Sequence, residues 1–372
     1  MKWSWHVGRI AGIDIRVHAT FPLLFAWIAL IAVRGGATPA AVLGAVVLTL
    51  AVFVLVVLHE CAHALTARRF GIHTRDITLL PIGGIARLER MPREPRQELL
   101  VALAGPAVNV VLAIILYATL ALSGDLAQLR ELNEAGTTTT TSAAAALAQL
   151  FAVNVSLALF NLLPAFPLDG GRALRALLAM RGGDYVKATV TAARVGRAFA
   201  LLFGLVGLFV ISSPMLVIIS LFIWLSAASE ATAAQTAAAL ADVPLASLLI
   251  TDVRTLAPHD PLSRAAELTI QGYQQDFPVI DDGTLVGMLG RADLVRGLAN
   301  HGTGGTVGSA MRRDFHSATP DDTPEEALKE LATGGGASLP VVRDGELVGL
   351  LTAENVMEFL MLKGALGSVA AR

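Results

Sequence analysis

The chain contains 372 residues, of which 54% are hydrophobic and 16% are charged. Soluble domains carry about 25% charged residues, so the excess of apolar residues in this chain requires an apolar solvent. The formal net charge of −2 argues against a nucleic-acid partner. The single cysteine, Cys61, excludes an intrachain disulfide and any zinc cluster made of cysteines.

The composition changes along the chain and divides it into parts. Long runs with almost no charge lie within residues 19–228, whereas from about residue 241 the composition is that of an ordinary soluble protein. We therefore expect an α-helical membrane domain at residues 1–230, a linker at 231–242 and a soluble domain at 243–372. The alanine-rich composition of the linker favours a helix.

Six apolar segments of the first domain are candidate transmembrane helices, because a helix needs roughly 20 apolar residues to cross a bilayer and fewer where the bilayer is thin. They cover residues 21–33, 40–67, 99–122, 143–166, 198–211 and 215–228. The first segment is short, and Pro164 interrupts the fourth near its end. Pro214 separates the last two segments as a tight hairpin. The expected fold is a polytopic bundle of about six transmembrane helices.

The basic residues of the short loops indicate the orientation of these segments, since Lys and Arg accumulate on the cytoplasmic side. One set of loops carries Lys2, Arg9, Arg16, Arg68, Arg69, Arg75, Arg87, Arg90, Arg93, Arg96, Arg172, Arg175, Arg181 and Lys187. The opposite loops carry Arg34 and Arg130. This asymmetry predicts a protein of the cell membrane with both termini in the cytoplasm.

The second apolar segment contains the sequence His59-Glu60-Cys61-Ala62-His63. Residues four apart share one face of a helix, so both imidazoles can reach one metal ion. Glu60 lies beside them, where a carboxylate can take a proton from a water molecule at the metal. Ionisable groups well below the headgroups are costly and are functional by default. A polar cluster that only joins two helices is the alternative.

A catalytic zinc ion takes three protein ligands and leaves one position open. Asp169, in a segment that contains Pro164, Pro167, Gly170 and Gly171, is the best candidate for the third ligand. Prolines end a regular helix, and a broken helix at membrane depth is tolerated where it lines a polar cavity. Asp169 equally fits the cap of a helix that begins near Arg172.

The two sequences together resemble the site-2 protease family of intramembrane metalloproteases. The resemblance rests on the HExxH motif in an apolar segment, on Asn161-Leu-Leu-Pro-Ala-Phe-Pro-Leu-Asp-Gly-Gly, and on Gly105-Pro-Ala-Val-Asn109 in the third segment. It implies a metalloendopeptidase whose zinc ion is held by His59, His63 and Asp169. It also implies Glu60 as the general base, Asn109 and Asn161 as residues that line the site, and a membrane-spanning substrate. A hydrogen bond between helices is the alternative role of each asparagine.

Residues 77–88, between the second and third apolar segments, are similar to a substrate-contacting hairpin of the same family. Apolar residues flank Pro81, Gly83 and Gly84, which suits a bent hairpin that dips into the membrane. An exposed strand edge can hold an extended peptide by backbone pairing, so Gly83 and Gly84 are candidate substrate-positioning residues. A simple cytoplasmic loop is the alternative. The chain has no stretch long enough for an inserted PDZ domain. In this respect it resembles the subgroup of site-2 proteases that lacks a PDZ domain and carries a C-terminal regulatory module.

The soluble tail contains an internal repeat. Phe277-Pro-Val-Ile-Asp-Asp-Gly-Thr-Leu-Val-Gly-Met-Leu matches Leu339-Pro-Val-Val-Arg-Asp-Gly-Glu-Leu-Val-Gly-Leu-Leu at a constant shift. Each copy predicts a helix, two short strands joined by a glycine turn, and a further helix. The duplicated tail resembles a pair of cystathionine-β-synthase (CBS) domains, at residues 243–300 and 307–364.

The CBS resemblance implies a site for an adenine nucleotide, ATP, ADP or AMP. In that family a Thr or Ser after the second strand, with Asp or Asn three residues on, binds phosphate and ribose. The second copy has Thr352 and Asn355, whereas the first has Gly290 and Asp293 and lacks the hydroxyl. A helix cap is the alternative role of these residues. Pairing of two chains into a homodimer is the alternative role of the tail.

These observations favour hydrolysis of peptide bonds within the bilayer, in regulated intramembrane proteolysis of membrane-protein substrates. Two other functions are compatible with parts of the pattern: a CBS-regulated ion channel or transporter, and a scaffold without activity. A transporter predicts a site near the midplane between inverted repeats, and the six segments show no repeat. The presence of Glu60 disfavours the inactive scaffold.

Overall fold

The computed structural model describes residues 3–81, 83–89, 92, 94–135, 142–272 and 274–370. The chain forms two compact units, Met1–Ala234 and Gln235–Arg372. Three of the basic residues used to predict the orientation, Lys2, Arg90 and Arg93, lie outside the described residues.

The first unit contains a four-stranded sheet whose first two strands were not predicted from the sequence. Its strands are β1 (Ser4–Ile10), β2 (Ile13–His18), β3 (Thr74–Leu80) and β4 (Gly83–Leu88), in the order β1-β2-β3-β4. The β2–β3 pair is parallel, and the other two pairs are antiparallel. Residues 77–88 therefore form a hairpin within a sheet and not a simple loop, and β4 is an edge strand.

The described part of the first unit contains eight helices, the last of which continues beyond Ala234. They are α1 (Phe21–Arg34), α2 (Pro39–Arg69), α3 (Pro95–Leu122), α4 (Ala127–Ala135), α5 (Ala143–Asn161), α6 (Asp169–Gly182), α7 (Tyr185–Phe209) and α8 (Pro214–Leu240). Five of the described helices, α2, α3, α5, α7 and α8, are long and apolar enough to cross a membrane, and α1 is a shorter apolar helix. Each predicted apolar segment thus corresponds to one helix.

The helix boundaries follow local chemistry. Thr38 begins α2 with its hydroxyl accepting a hydrogen bond from the Ala41 amide at 3.3 Å, and Pro39 follows at the first helical position. Ser142 caps α5 in the same way. The predicted fourth segment was too long at its end, because α5 ends at Asn161 and not at residue 166. The two prolines that follow cannot continue a helix.

Helix α3 is central to the first unit, since it contacts α2, α5 and α6. The sheet packs on α2, where Ile13, Ile15 and Ile77 contact Cys61 and Ala64. Cys61 is a buried apolar residue of this core. This packing places the edge strand β4 beside the part of α2 that carries the HExxH motif.

The second unit is built from two similar α/β halves. The first half contains α9 (Leu262–Gln271), β5 (Asp276–Asp281), β6 (Thr284–Gly290), α10 (Arg291–His301) and α11 (Val307–Ala310). The second half contains α12 (Pro324–Thr333), β7 (Ser338–Arg343), β8 (Glu346–Thr352) and α13 (Ala353–Ala370).

The two halves share the geometry of their hairpins. In each hairpin the turn is Asp-Gly with positive φ at both residues, 47° and 82° at Asp282 and Gly283 and 53° and 89° at Asp344 and Gly345. Such a turn matches the twist of the flanking strands. Each hairpin also has a register shift at its fourth residue. The helix-hairpin-helix pattern predicted from the repeat is present in both halves.

Candidate functional site

Three side chains of the first unit converge on one point. The Nε2 atom of His59 lies 3.1 Å from Oδ2 of Asp169, and the Nε2 atom of His63 lies 3.1 Å from the same oxygen. The two Nε2 atoms are 3.0 Å apart. All three residues are buried, with 4%, 6% and 7% of their surface exposed. Within the described residues this is a group of three donors that could hold a metal ion.

The two histidines are presented by α2. They are four residues apart in the middle of a continuous helix, so their rings lie on one face with centroids 4.7 Å apart. The other ring nitrogens bind α3. His63 donates from Nδ1 to the carbonyl oxygen of Val101 at 2.7 Å, and His59 donates from Nδ1 to Oδ1 of Asn109 at 3.2 Å. Because a carbonyl oxygen can only accept, both Nδ1 atoms carry the proton.

The resulting tautomers show why the centre fits a cation. With both protons on Nδ1, each Nε2 presents a lone pair to the other and to the Asp169 carboxylate. Three acceptor atoms at 3.0–3.1 Å repel one another unless a positive ion lies between them. Ligand atoms at 2.0–2.1 Å from a tetrahedral zinc ion are roughly 3.3 Å apart, which is close to the observed separations. Two imidazoles and one carboxylate also leave a fourth position, as catalytic zinc sites require.

Helix α3 approaches the two imidazoles because Gly105 has no side chain. A Cβ atom at this position would meet the His63 Nε2 atom and would lie 2.6 Å from the His59 ring. Any larger residue at Gly105 would therefore displace the histidines or α3. The glycine of the third segment, which the sequence analysis used only for the family resemblance, has a direct packing role.

Asp169 reaches the histidines because the chain folds back between α5 and α6. Asp169 is the first residue of α6, so this helix begins three residues before the position near Arg172 that the cap interpretation required. The turn is tight: a Cβ atom on Gly170 would meet the carbonyl oxygens of Leu162 and Leu163. The Phe166–Pro167 peptide bond in this turn is cis. Only glycine permits so close an approach of α6 to the preceding backbone.

Glu60 lies next to His59 on α2 and is half-buried. Strand β4 passes directly beside it, because a Cβ atom on Gly84 would lie 3.0 Å from Cγ of Glu60 and 3.0 Å from Val56. Gly83 has a φ of 140°, a conformation that other residues rarely adopt. Among the described residues the Glu60 carboxylate makes no hydrogen bond, so its oxygens are free to accept a proton. Of the two predicted hairpin glycines, Gly84 thus lies beside Glu60 at the edge of the centre.

The two predicted asparagines differ in their contacts. Asn109 is fully buried and binds His59, as described above. Asn161 is half-buried at the end of α5, and its amide makes no hydrogen bond within the described part of the chain. Asn154, which was not predicted from the sequence, is fully buried in α5 and donates from Nδ2 to the carbonyl oxygen of Asn109 at 2.6 Å. An asparagine within an apolar span was the signal for it.

The tail residues predicted to bind a nucleotide already have protein partners. Thr352 accepts a hydrogen bond from the Asn355 amide at 3.1 Å, and the Asn355 side chain donates to the carbonyl oxygen of Leu248 at 2.6 Å. Asp293 accepts from Arg312 Nε at 2.9 Å and from the Gly290 amide at 3.3 Å. The contacts of Thr352 with the Asn355 amide and of Asp293 with the Gly290 amide are those of the helix-cap alternative, whereas the other two contacts join these residues to Leu248 and Arg312.

A cleft of about 880 Å³ lies in the second unit. Its lining includes Thr352 and the Arg254 side chain, but neither Asn355 nor Asp293. The volume is within the range of about 300–1,000 Å³ that small-molecule sites occupy. Of the three predicted residues, the structure therefore places Thr352 at a cleft large enough for a ligand.

Comparison with known proteins agrees with this architecture. The model of peptidase family M50 matches residues 47–203, which include both halves of the metal centre. The model of the CBS domain matches twice, at residues 245–300 and 307–362. A family of peptidases matches the membrane part of the chain, so the ion-channel or transporter alternative is not retained.

Relatives span the whole chain. Rip3 of Mycobacterium tuberculosis, which is assigned as a zinc metalloprotease, is 33% identical over 387 residues, with 97% of this chain and 93% of Rip3 covered. A zinc metalloprotease of Methanocaldococcus jannaschii is 29% identical over 365 residues, with 97% of each chain covered. A solved site-2 protease from Methanocaldococcus jannaschii is 33% identical, covering 62% of this chain and 95% of its own, with a TM-score of 0.43. The chain belongs to peptidase family M50: it is a membrane zinc metalloendopeptidase of the site-2 protease type with a C-terminal pair of CBS domains.

Proposed function

We propose that the enzyme hydrolyses peptide bonds in or near transmembrane segments of membrane proteins, with His59, His63 and Asp169 as zinc ligands and Glu60 as the general base. The observation that carries the proposal is the convergence of three acceptor atoms at 3.0–3.1 Å on α2 and α6. This point lies beside a free carboxylate and a strand edge. Buried ionisable groups in apolar helices are retained for function.

The residues have separate tasks in this reaction. His59, His63 and Asp169 would hold the zinc ion, which would supply polarisation of the scissile carbonyl and a nucleophilic water at neutral pH. Glu60 takes the proton from the attacking water and passes it to the leaving nitrogen. Asn109 and the Val101 carbonyl fix the two imidazoles in the tautomer that leaves Nε2 free. Asn154 holds the backbone of α3 at Asn109.

The substrate binds along β4 as an additional strand. A protease must hold the scissile peptide extended, and an exposed strand edge does this by backbone hydrogen bonding. Gly84 lets the strand pass close to Glu60, because a side chain there would meet the Glu60 side chain, and Gly83 supplies the positive φ of the strand start. The amide of Asn161, which makes no hydrogen bond among the described residues, is assigned to binding of the substrate backbone. The partner is therefore a membrane protein whose transmembrane segment unwinds locally.

We propose that the chain spans the cell membrane several times with both termini in the cytoplasm. The basic residues at the ends of the elements that flank two connections support this orientation: Arg68, Arg69 and Arg75 around the α2–β3 connection, and Arg181 and Lys187 around the α6–α7 connection. We also propose a protease domain at 1–230, a linker at 231–242 and CBS domains at 243–300 and 307–364. The division between the compact units, after Ala234, lies inside the proposed linker and supports these boundaries.

The tail is proposed to bind one adenine nucleotide, in the cleft that Thr352 and Arg254 line. The Arg254 guanidinium makes no ion pair within the described residues and can bind phosphate. In the first copy, Asp293 occupies the position of Asn355, and its charge is neutralised by the ion pair with Arg312 at 2.9 Å. We therefore propose one nucleotide site and not two. Homodimerisation through the tail remains the competing role, and the CBS family match supports either.

Metal removal tests the proposed function. The full chain is reconstituted in nanodiscs with a membrane-spanning peptide substrate, and its zinc content is measured by mass spectrometry. We expect about one zinc ion per chain, loss of cleavage after chelation and recovery on adding zinc, because the three ligands hold the ion. Asp169→Asn should bind less than a tenth of the zinc of the wild type at equal free metal. Cleavage that survives chelation would contradict the proposal, as would undiminished zinc binding by the variant.

A further inference from the structure

A buried arginine outside the metal centre joins four helices of the first unit. Arg175 on α6 is 3% exposed, although it is charged. Its Nε and Nη2 atoms donate to Oε1 of Glu98 on α3 at 2.8 and 2.5 Å. Its Nη1 atom donates to Oε1 of Glu230 on α8 at 2.5 Å. The Tyr185 ring of α7 lies 5.0 Å from the guanidinium carbon.

The same guanidinium also contacts the turn that delivers Asp169. The Phe166 ring lies 5.0 Å from the guanidinium carbon, and Phe166 is three residues before Asp169. A cation over an aromatic face is attracted by the ring quadrupole, and more strongly where water is excluded. Arg175 therefore contacts the turn before the third ligand as well as the helix that follows it.

Burial of this ion pair is costly, which indicates a use beyond holding helices together. Buried charges lose hydration that their mutual attraction often fails to restore, and apolar replacements are frequently as stable. Glu98 is 1% exposed, and its Oε2 atom has no hydrogen-bond partner among the described residues. Simple helix packing would not need this pair.

The position of Glu98 on α3 connects the pair to the histidines. Glu98, Val101, Gly105 and Asn109 lie within about 80° of one another at about 100° per residue, on one face of α3. This face accepts the hydrogen bonds of both imidazoles and packs on their rings. Arg175 fastens α6 to the same face, and α6 begins at the third ligand.

We propose that Arg175 is a positioning residue for Asp169, and that Glu230 is the contact through which α8 acts on it. By bonding α6 to the face of α3 that fixes the histidines, Arg175 sets the distance between the carboxylate and the two imidazoles. The inference rests on the proposed zinc ligands. It assigns Arg175 no contact with substrate or metal.

The carboxylates of Glu98 and Glu230 differ in their exposure, and this difference is the reason for assigning a role to α8. The Glu98 side chain is 1% exposed, whereas the Glu230 side chain is 41% exposed. The Glu230 bond is therefore the easier one to break, because water can replace it. Helix α8 continues from Glu230 to Leu240, beyond the division of the chain into two units. A shift of α8 would free or engage one arm of Arg175 and so move α6.

The test uses the full chain in nanodiscs with three variants that each remove one charge. Arg175→Gln and Glu230→Gln break the cluster. Arg197→Gln is the matched control, because Arg197 lies 5.9 Å from the Trp224 ring between α7 and α8 and makes no ion pair among the described residues. Each protein is loaded with Co²⁺ for its visible absorption spectrum, titrated with zinc against a chelator, melted, and assayed for kcat/KM.

We expect Arg175→Gln to bind zinc at least about tenfold more weakly and to change the Co²⁺ spectrum, because groups that orient ligands typically contribute 10- to 100-fold. Glu230→Gln should weaken zinc binding by about threefold and change the Co²⁺ spectrum in the same direction as Arg175→Gln, since Glu98 still holds the guanidinium. Arg175→Lys should recover part of the affinity, as it keeps the charge but not the paired hydrogen bonds. Arg197→Gln should match the wild type in spectrum and zinc affinity.

A folded Arg175→Gln protein with the wild-type spectrum and zinc affinity would overturn the positioning role, whatever its melting temperature. If this variant does not fold, the double variant Glu98→Gln/Arg175→Gln, which leaves no buried charge unpaired, is judged by the same criteria. An unchanged Glu230→Gln protein would overturn the role of α8. A wild-type protein that binds no metal would overturn the proposed function together with this inference. If the wild type binds metal and the variants have the same zinc affinity and Co²⁺ spectrum as the wild type, the inference alone is overturned.

Discussion

Glu60 is the residue on which the proposed chemistry depends most directly. It follows His59 on α2, lies beside Gly84 of β4 and makes no hydrogen bond within the described residues. A carboxylate that acts as general base must lie close to the attacking water and must not be held by other hydrogen-bond partners. Asp169, by contrast, is directed at both imidazoles, so the two acidic residues have separate roles.

Glu60→Gln should retain zinc and lose nearly all peptide cleavage. The amide has the shape of the carboxylate but cannot accept the proton, and general-base catalysis contributes about 10²- to 10⁴-fold. Turnover of a membrane-spanning peptide by the purified protein, with zinc content measured on the same sample, checks this. Glu94→Gln, the same change at an exposed position before α3, should cleave normally. Wild-type turnover by the Glu60 variant would remove the general-base role.

Asp76 provides a residue-scale test of what stabilises the sheet. Burial alone would raise the pKa of Asp76, but hydrogen bonds from Arg87 and Thr78 and the charge of Arg16 hold it below its ordinary value. A carboxyl whose pKa is lowered on folding contributes stability above its unfolded pKa of about 3.9 and loses it as pH falls through the folded pKa. The contribution is therefore complete at neutral pH.

Asp76→Asn should destabilise the protein by about 1.5–3 kcal/mol at pH 7, the usual range for hydrogen bonds to charged groups. The difference between wild type and variant should stay constant down to about pH 5 and shrink below pH 4. Thermal melts in nanodiscs across this pH range measure it. A difference that grows as pH falls would show that the carboxyl pKa is raised and not lowered.

At the scale of elements, the centre is made by three helices and one strand with different tasks. Helix α2 presents the histidines, α3 fixes their tautomers and packs on their rings, α6 supplies the carboxylate, and β4 forms an edge beside the general base. Each contact surface uses glycine where two backbones or a backbone and a ring approach closely. At Gly105 and Gly170 an added Cβ atom would collide with neighbouring atoms, and at Gly84 it would lie 3.0 Å from Glu60 and from Val56.

Gly84→Val tests the role of the β4 edge in binding substrate. A side chain here meets Glu60 and Val56 at 3.0 Å, so it shifts the strand away from the general base. We expect kcat/KM to fall by about 100-fold, the effect of misplacing a reacting group by about 1 Å, while zinc content is unchanged. Gly8→Ala in β1, where a Cβ atom meets nothing within 4 Å, is the control. Equal activity of the two variants would exclude β4 as the substrate strand.

For the whole molecule, the question is what the tail contributes to the protease domain. A ligand shifts an equilibrium only by the difference in its affinity for two states. The described part of the tail contains a cleft of suitable size, while Asp293 of the first copy is bound to Arg312. A tail of this construction fits a sensor with one ligand, and it equally fits a dimerisation module.

An adenine nucleotide should bind the full chain with one site per protomer and change proteolysis by about 5- to 150-fold, the range of typical coupling energies. Calorimetry with ATP, ADP and AMP measures the stoichiometry, and Arg254→Gln should weaken binding by removing a phosphate partner. Thr323→Val, which alters a helix cap away from the cleft, serves as the control. No heat and no shift in melting temperature at millimolar nucleotide would leave dimerisation as the role of the tail.

Local patterns in the sequence determined most of the fold and half of the centre. The apolar segments predicted the helices, because helix formation in lipid follows composition over about 20 residues. The four-residue spacing of His59 and His63 predicted a shared face, since helical geometry depends only on neighbours. The repeat predicted the two similar halves of the tail for the same reason.

Contacts between distant parts of the chain were decided only by the tertiary structure. Asp169 fitted a ligand and a helix cap equally from its spacing, and it meets His59 and His63 across 110 and 106 positions of sequence. The contact of Asn154 with α3 and the pairing of Asp293 with Arg312 likewise depend on which elements pack together. Strand β2 pairs with β3 across an intervening pair of helices. A sequence pattern records the conformation of its own element, whereas these contacts depend on the packing of separate elements.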